Sequence, residues 1–269
     1  EATNDFQIDA NNAAAFDGGR PVFVDIDPET WNIDPARIEA AVTERTKMIL
    51  AVDVFGEPAD MDPIQEAAER HGLRLLEDSC EALGATYKGR KAGSLGEAGL
   101  FGFYPNKQVT TGEGGMIVTD DADLYAQVDS MRNQGRDTSG NWLGHVRLGY
   151  NYRLSELNCG LGVAQMKRIE EIIANRDRVA GYYLDRLKDL PQLTLQKRAD
   201  HSRISWFVMV VRLADDRTRE DRDRILETLQ DKGIGCRNYF PPIHTQPFYQ
   251  EAFGYKPGDF PVCEALSDR

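Results

Sequence analysis

Short apolar runs alternate with helix-spaced segments through the first two thirds of this 269-residue chain, and few folds accommodate that order. Residues 21–26, 48–54, 73–76, 99–103 and 116–119 are apolar and short, as buried strands are. Between them, 35–42 follows Asp34, a good helix N-cap, and 62–71 stops at Gly72, a helix C-terminal signal. Strands separated by helices imply an α/β architecture with a largely parallel sheet. In such sheets ligands gather beyond the carboxyl ends of the strands.

Residues 154–190 read as long, little-interrupted helix. Strand candidates 193–195, 205–211 and 234–239, with a helix over 219–232, make a smaller α/β unit. We place a large domain at 1–165 and a small one at 166–269. The chain starts at Glu1 without a methionine, and its last segment, FPVCEALSDR, reads as the start of a helix. The expectation is that part of the large domain precedes this sequence and that the end of the small domain follows it.

Composition narrows the function classes. With 41% apolar residues a packed core is available, and 32 basic against 44 acidic residues give a formal charge of −12. That balance argues against a nucleic-acid or acidic-membrane surface, while leaving room for a local phosphate site. Cys80, Cys159, Cys236 and Cys263 form no CxxC pair, so no metal site is expected, and free thiols point to a reducing cytoplasm. No apolar run approaches the ~18 residues of a membrane helix.

The chemistry concentrates in residues 100–115, LFGFYPNKQVTTGEGG. Lys107 is crowded by Phe101, Phe103, Tyr104 and Pro105, which strip water from its amine. Asp78 lies just past another strand candidate. An amine at one strand end and an acid at another are what pyridoxal phosphate requires, for its Schiff base and its pyridinium nitrogen. On the residues alone, Lys107 equally suits a loop lysine among core aromatics, and Asp78 a strand-end cap. GEGG at 112–115 lacks the GK[ST] of a P-loop and reads as a tight turn. Asp25-Ile26-Asp27 and Asp60-Met61-Asp62 lack the rest of an EF-hand and read as turn and cap residues. His244, in NYFPPIHTQPFY, fits either a structural role or a hydrogen bond to a sugar or phosphate. Asn151 and Arg153, in LGYNYRLSEL, fit helix capping and surface charge, or recognition of an anion or hydroxyl.

Five segments occur together and in order: VFGEPADMDPI, LLEDSCEALGA, GFYPNKQVTTGEGG, GYNYRLSELNCGLG and YFPPIHTQPFY. With them the chain resembles the DegT/DnrJ/EryC1/StrS family of pyridoxal-phosphate-dependent nucleotide-sugar aminotransferases, from Gly18 to its end. The resemblance implies the aspartate-aminotransferase-like fold (fold type I). It makes Lys107 the Schiff-base lysine, where related sugar dehydratases carry histidine. Asp78 becomes the acid at the pyridine nitrogen, Cys80 a residue against the ring, and Glu81 a neighbour of the ring hydroxyl. Glutamate there is similar to the perosamine-synthase-like branch. Asn151 matches an asparagine that reaches the cofactor phosphate from the neighbouring subunit, and Arg153 and His244 match positions near the substrate. Implied with these are pyridoxal 5′-phosphate, glutamate as amino donor, a nucleotide-linked keto-deoxysugar as acceptor, and a cytoplasmic homodimer with shared sites. Two departures stand out: Gly102 replaces a serine, and the family's N-terminal phosphate loop has no counterpart in the sequence. The alternatives are a non-catalytic regulator or binding protein on the same fold, or an inactive truncated fragment.

Overall fold

The structure, a computed structural model, describes residues 2–4, 8–137 and 144–269. Strands β1 (Ala2–Asn4), β2 (Val22–Val24), β3 (Met48–Val52) and β4 (Arg74–Asp78) are followed by the short β5 (Thr86–Tyr87) and β6 (Arg90–Lys91), then β7 (Ala98–Gly102) and β8 (Gly115–Val118). Helices α1 (Ile8–Phe16), α2 (Ile38–Ala41), α3 (Met61–His71) and α4 (Ala122–Arg132) connect or follow them. Six strands form one sheet in the order β2-β1-β3-β4-β7-β8. All neighbours in it are parallel except β7 and β8.

The central strands β3 and β4 are largely buried on both faces, as parallel strands are, whereas the edge strand β8 is exposed. Along β3 the side chains alternate between them. Ile49 and Ala51 join the core that α3 covers, whereas Leu50 and Val52 face a second core with Trp31, Val54, Phe55 and Cys263. Helix α3 presents Met61, Ile64, Ala67 and Ala68 to the first core at helical spacing. Burial of Met61 and Ile64 contributes about 1.5–3 kcal/mol each. The helix ends at Gly72, which takes the left-handed conformation and returns its N–H to Ala68 and Glu69.

The rest of the chain comprises α5 (Glu156–Met166), α6 (Ile169–Leu187), β9 (Leu193–Leu195), β10 (Ser202–Arg203), β11 (Val211–Leu213), α7 (Arg219–Asp231), α8 (Pro247–Phe253) and α9 (Pro261–Ser267). β10 pairs with β5 and β11 with β9, both antiparallel. Asp25, just past β2, anchors α9: its carboxylate accepts from the amides of Val262 at 3.0 Å and Cys263 at 2.9 Å. Asp34 also caps as anticipated, accepting from Ala36 N at the turn that leads into α2.

Three sequence expectations need correction. The 154–190 helix is two helices, broken at Lys167 and Arg168, with Ser155 capping the first. Residues 205–210 form no strand, because their amides are used elsewhere: Ser205 N and Phe207 N donate to the carbonyls of Gly56 and Phe55. Residues 234–239 are likewise irregular. Among the described residues no helix is long and apolar enough to cross a membrane.

Candidate active site

β3, β4 and β7 lie side by side, with Val52 level with Asp78 and Asp78 level with Leu100. The segments beyond their carboxyl ends therefore meet. Asp78 closes β4, nearly buried, and accepts from the amide of Cys80 at 3.0 Å. Lys107 sits in the turn joining β7 to β8. Phe103 anchors that turn, donating to Gly114 O and accepting from Thr111 N. The lysine side chain runs back across the strand ends. A Cβ built on Gly102 would lie 3.5 Å from Cys80 Sγ and 3.7 Å from Lys107 Cε, so these three residues share one spot.

Lys107 Nζ is 3.8 Å from Glu81 Oε1 and 4.5 Å from the centre of the Phe207 ring. A cation over an aromatic face at this distance is attractive, by about 0.5–2 kcal/mol. Glu81 is buried, and its other oxygen accepts from Phe55 N at 2.9 Å. Gln108 ties the layers together, donating to Ser205 Oγ at 2.8 Å and to the Glu81 carbonyl. Arg176 donates to the carbonyls of Trp206 and Phe207 at 2.8 and 3.2 Å, fixing the aromatic under the lysine. Gly56 makes the approach of the 205–207 segment possible. Its φ is +97°, and a Cβ would fall 2.8 Å from the backbone nitrogens of Trp206 and Phe207.

Electrostatics follow from this crowding. Burial pushes the Cys80 thiol up, and the Asp78 carboxylate adds to it, so the sulfur stays neutral. Burial also raises the Tyr239 phenol, with Glu81 second, while a hydrogen bond to Asn106 opposes the shift. The site thus offers one primary amine, two carboxylates, a neutral thiol and an aromatic floor.

The structure brings Lys107, Asp78, Cys80 and Glu81 together at these strand ends. Asn151 and Arg153 lie instead on an exposed strip, where Arg153 donates to Asn133 at 2.8 Å. Leu148, Tyr152 and Leu157 on the same strip are 88, 71 and 87% exposed. His244 is fully buried, with Nε2 2.8 Å from Glu264 Oε1 and its ring against Phe260. Asp62 pairs with Lys88 and Arg90, and Asp27 accepts from the amides of its own turn. Phe55, Gln108, Ser205, Phe207 and Tyr239 belong to the site and were not singled out by sequence reasoning. No local pattern marks Phe55, Ser205, Phe207 and Tyr239, since only the tertiary fold carries them to Lys107, whereas Gln108 adjoins the lysine in sequence.

Residues 6–269 match the DegT/DnrJ/EryC1/StrS aminotransferase family. The chain is 42% identical to a GDP-perosamine synthase of Caulobacter vibrioides, over 90% of this chain and 65% of that protein, so it spans about two thirds of this relative's length. It superposes on Helicobacter pylori PseC, an aminotransferase involved in pseudoaminic acid biosynthesis, with a TM-score of 0.93 and 29% identity over 99% of this chain and 72% of that one. A third similarity is to the Escherichia coli GDP-4-keto-6-deoxy-D-mannose-3-dehydratase solved with bound hydrated PLP, at TM-score 0.86 and 30% identity over 95 and 70% of the two chains. The order of motifs, the strand-end cluster around Lys107 and the match over nearly every residue agree: this chain belongs to the DegT/DnrJ/EryC1/StrS aminotransferase family.

Proposed function

We propose that the protein transfers an amino group from glutamate to the keto carbon of a nucleotide-linked deoxysugar, using pyridoxal 5′-phosphate held by Lys107. The observation that carries this is the convergence of Lys107, Asp78, Cys80 and Glu81 beyond three adjacent strands. Their chemistry fits the cofactor. Lys107 supplies the amine for its aldehyde carbon, and Asp78 is the carboxylate for its protonated ring nitrogen. The neutral Cys80 and the bare Gly102 leave an apolar wall for a flat ring. When bound, pyridoxal phosphate supplies an electron sink for the carbanion formed at the donor carbon.

The chain's own residues do the rest. With the cofactor bound, the Lys107 amine would take the donor's α-proton as general base and return it as general acid at the cofactor's C4′. The Asp78 carboxylate would keep the ring nitrogen protonated. Phe207 shields the amine from water, and Glu81, fixed by the Phe55 amide, lies beside it. Lysine at 107, where the family's dehydratases carry histidine, favours amino transfer over dehydration. Glu81 and the 42% identity to a GDP-perosamine synthase support a keto group at position 4 of the sugar.

The exposed apolar strip supports a homodimer. Leu148, Tyr152 and Leu157 stand beside Asn151 and Arg153, so a second copy covering them brings both polar groups to its own site. The four free cysteines support a cytoplasmic location. Incubation of the purified full-length protein with pyridoxal phosphate, glutamate and a panel of keto-sugar nucleotides tests the activity. The expected product is an amino-sugar nucleotide identified by mass. No product with any acceptor, from protein that also shows no cofactor absorbance, sinks the reading.

A further inference from the structure

A pair of acids lies on the far side of the strands that carry the candidate site. Asp53 and Glu77 are both completely buried, at the carboxyl ends of β3 and β4. Side chains alternate along β4, so Asp78 and Cys80 face Lys107 while Glu77 and Ser79 face the α3 core. Asp53 accepts from Ser79 Oγ at 2.6 Å and from Ala59 N at 2.9 Å, and its own amide donates to Asp78 O at 3.0 Å. Glu77 Oε2 accepts from Leu95 N at 2.8 Å, and the Gly93 amide is a second donor to this carboxyl.

Among the described residues no cation pairs with either acid. The described groups that touch the pair are one hydroxyl, just past β4, and three backbone amides, before α3 and in the 93–95 turn. Glu77 Oε1 meets no N–H or O–H donor, yet it is sealed from water. A buried acceptor without a donor is costly, and two adjacent carboxylates in a low-dielectric interior repel. A proton retained on Asp53 removes both problems, since its O–H donates to that orphaned oxygen and leaves one negative charge in place of two. Burial raises the titration of both acids, Asp53 most, and the charge of Glu77 raises Asp53 further.

We propose that Asp53 and Glu77 share a single proton and act as positioning residues, an O–H···O clamp under β3 and β4 that holds Asp78 and the Phe55–Gly56 turn in place. The clamp spans the loop before α3 through Ala59, the 93–95 turn through Leu95 and the end of β4 through Ser79, which follows it. Asp78 is bound to it through the Asp53 amide. The part assigned to Asp78 rests on the function proposed above, whereas the shared proton does not.

The test uses the full-length protein and the variants Asp53→Asn and Asp53→Ala in two measurements. Unfolding is followed against pH without added cofactor. The folded wild type holds one more proton than the unfolded chain, so its stability falls as pH rises toward the titration of the pair. Asparagine donates to Glu77 permanently and releases no proton. The folding constant of Asp53→Asn relative to wild type therefore rises about tenfold per pH unit across that window. A ratio constant with pH shows that no proton is shared and overturns the proposal. Pyridoxal phosphate affinity, read by absorbance titration, tests the positioning role. Asp53→Ala weakens it about tenfold, the scale of one lost supporting hydrogen bond, while Asp53→Asn restores it. Equal weakening in both variants, or none in Asp53→Ala, overturns the positioning role. Wild-type protein that binds no cofactor refutes the proposed function instead, and the unfolding measurement then decides the shared proton alone.

Discussion

Gly56→Ala probes how the 205–207 segment is held against Lys107. At φ +97° an alanine suffers backbone strain, about 1–2 kcal/mol. Its methyl would also stand 2.8 Å from the nitrogens of Trp206 and Phe207, backbone atoms that cannot swing aside as a side-chain tip can. The bonds from Ser205 N to Gly56 O at 2.9 Å and from Phe207 N to Phe55 O at 3.1 Å must stretch. Losing both adds about 2 kcal/mol, for a total of about 3–4 kcal/mol. Gly258 is the control, since its φ is +95° and nothing lies within 4 Å of its Cβ position. Gly258→Ala should cost the strain alone, about 1–2 kcal/mol. Chemical denaturation of both variants gives the two numbers. Phe207 shifts with its backbone, so Gly56→Ala should also weaken cofactor binding while Gly258→Ala does not. Equal losses of stability in the two variants refute the close approach at Gly56.

Glu57 is buried, and burial pushes it up to about 7 despite the Ala199 amide that favours its charge. The folded state keeps this proton longer than the unfolded chain, so the stabilisation is complete below the ordinary glutamate range and is lost as pH rises toward 7. The loss is about 3 kcal/mol, and Glu57→Gln should flatten the melting temperature against pH over that window. Asp25→Ala leaves the first amides of α9 without an acceptor and should cost about 2–4 kcal/mol in denaturation, of which Asp25→Asn recovers part. Leu157→Glu puts a charge in the apolar strip, and if that strip closes the proposed dimer the variant should sediment as a monomer where the unaltered protein sediments as a dimer.

The legible elements were those whose signals are local. β3, β4 and β7 show as apolar runs, and α3 is bounded by an acid-rich start and Gly72. The position of Lys107 and Asp78 beyond strand ends follows from that alone. The break at Lys167 and Arg168 has no proline or glycine to announce it. Residues 205–210 have the composition of a strand, but the loop after β3 captures their amides, and Trp206 takes φ +53° to let it happen. β1 has three residues, too few for any periodicity to emerge. Asp53 and Glu77 look like ordinary strand-end acids in sequence, because which face each occupies depends on register. Phe207 and Tyr239 are remote from Lys107 along the chain, and only packing makes them part of its site.

Lys107 is proposed as the residue that bonds the cofactor. Borohydride reduction of the full-length protein with pyridoxal phosphate fixes the cofactor to whichever amine it is bonded to, and peptide mass mapping locates it. The expected result is a phosphopyridoxyl group on Lys107, lost in Lys107→Ala. Labelling at a different lysine, or none while Lys107 is intact, contradicts it.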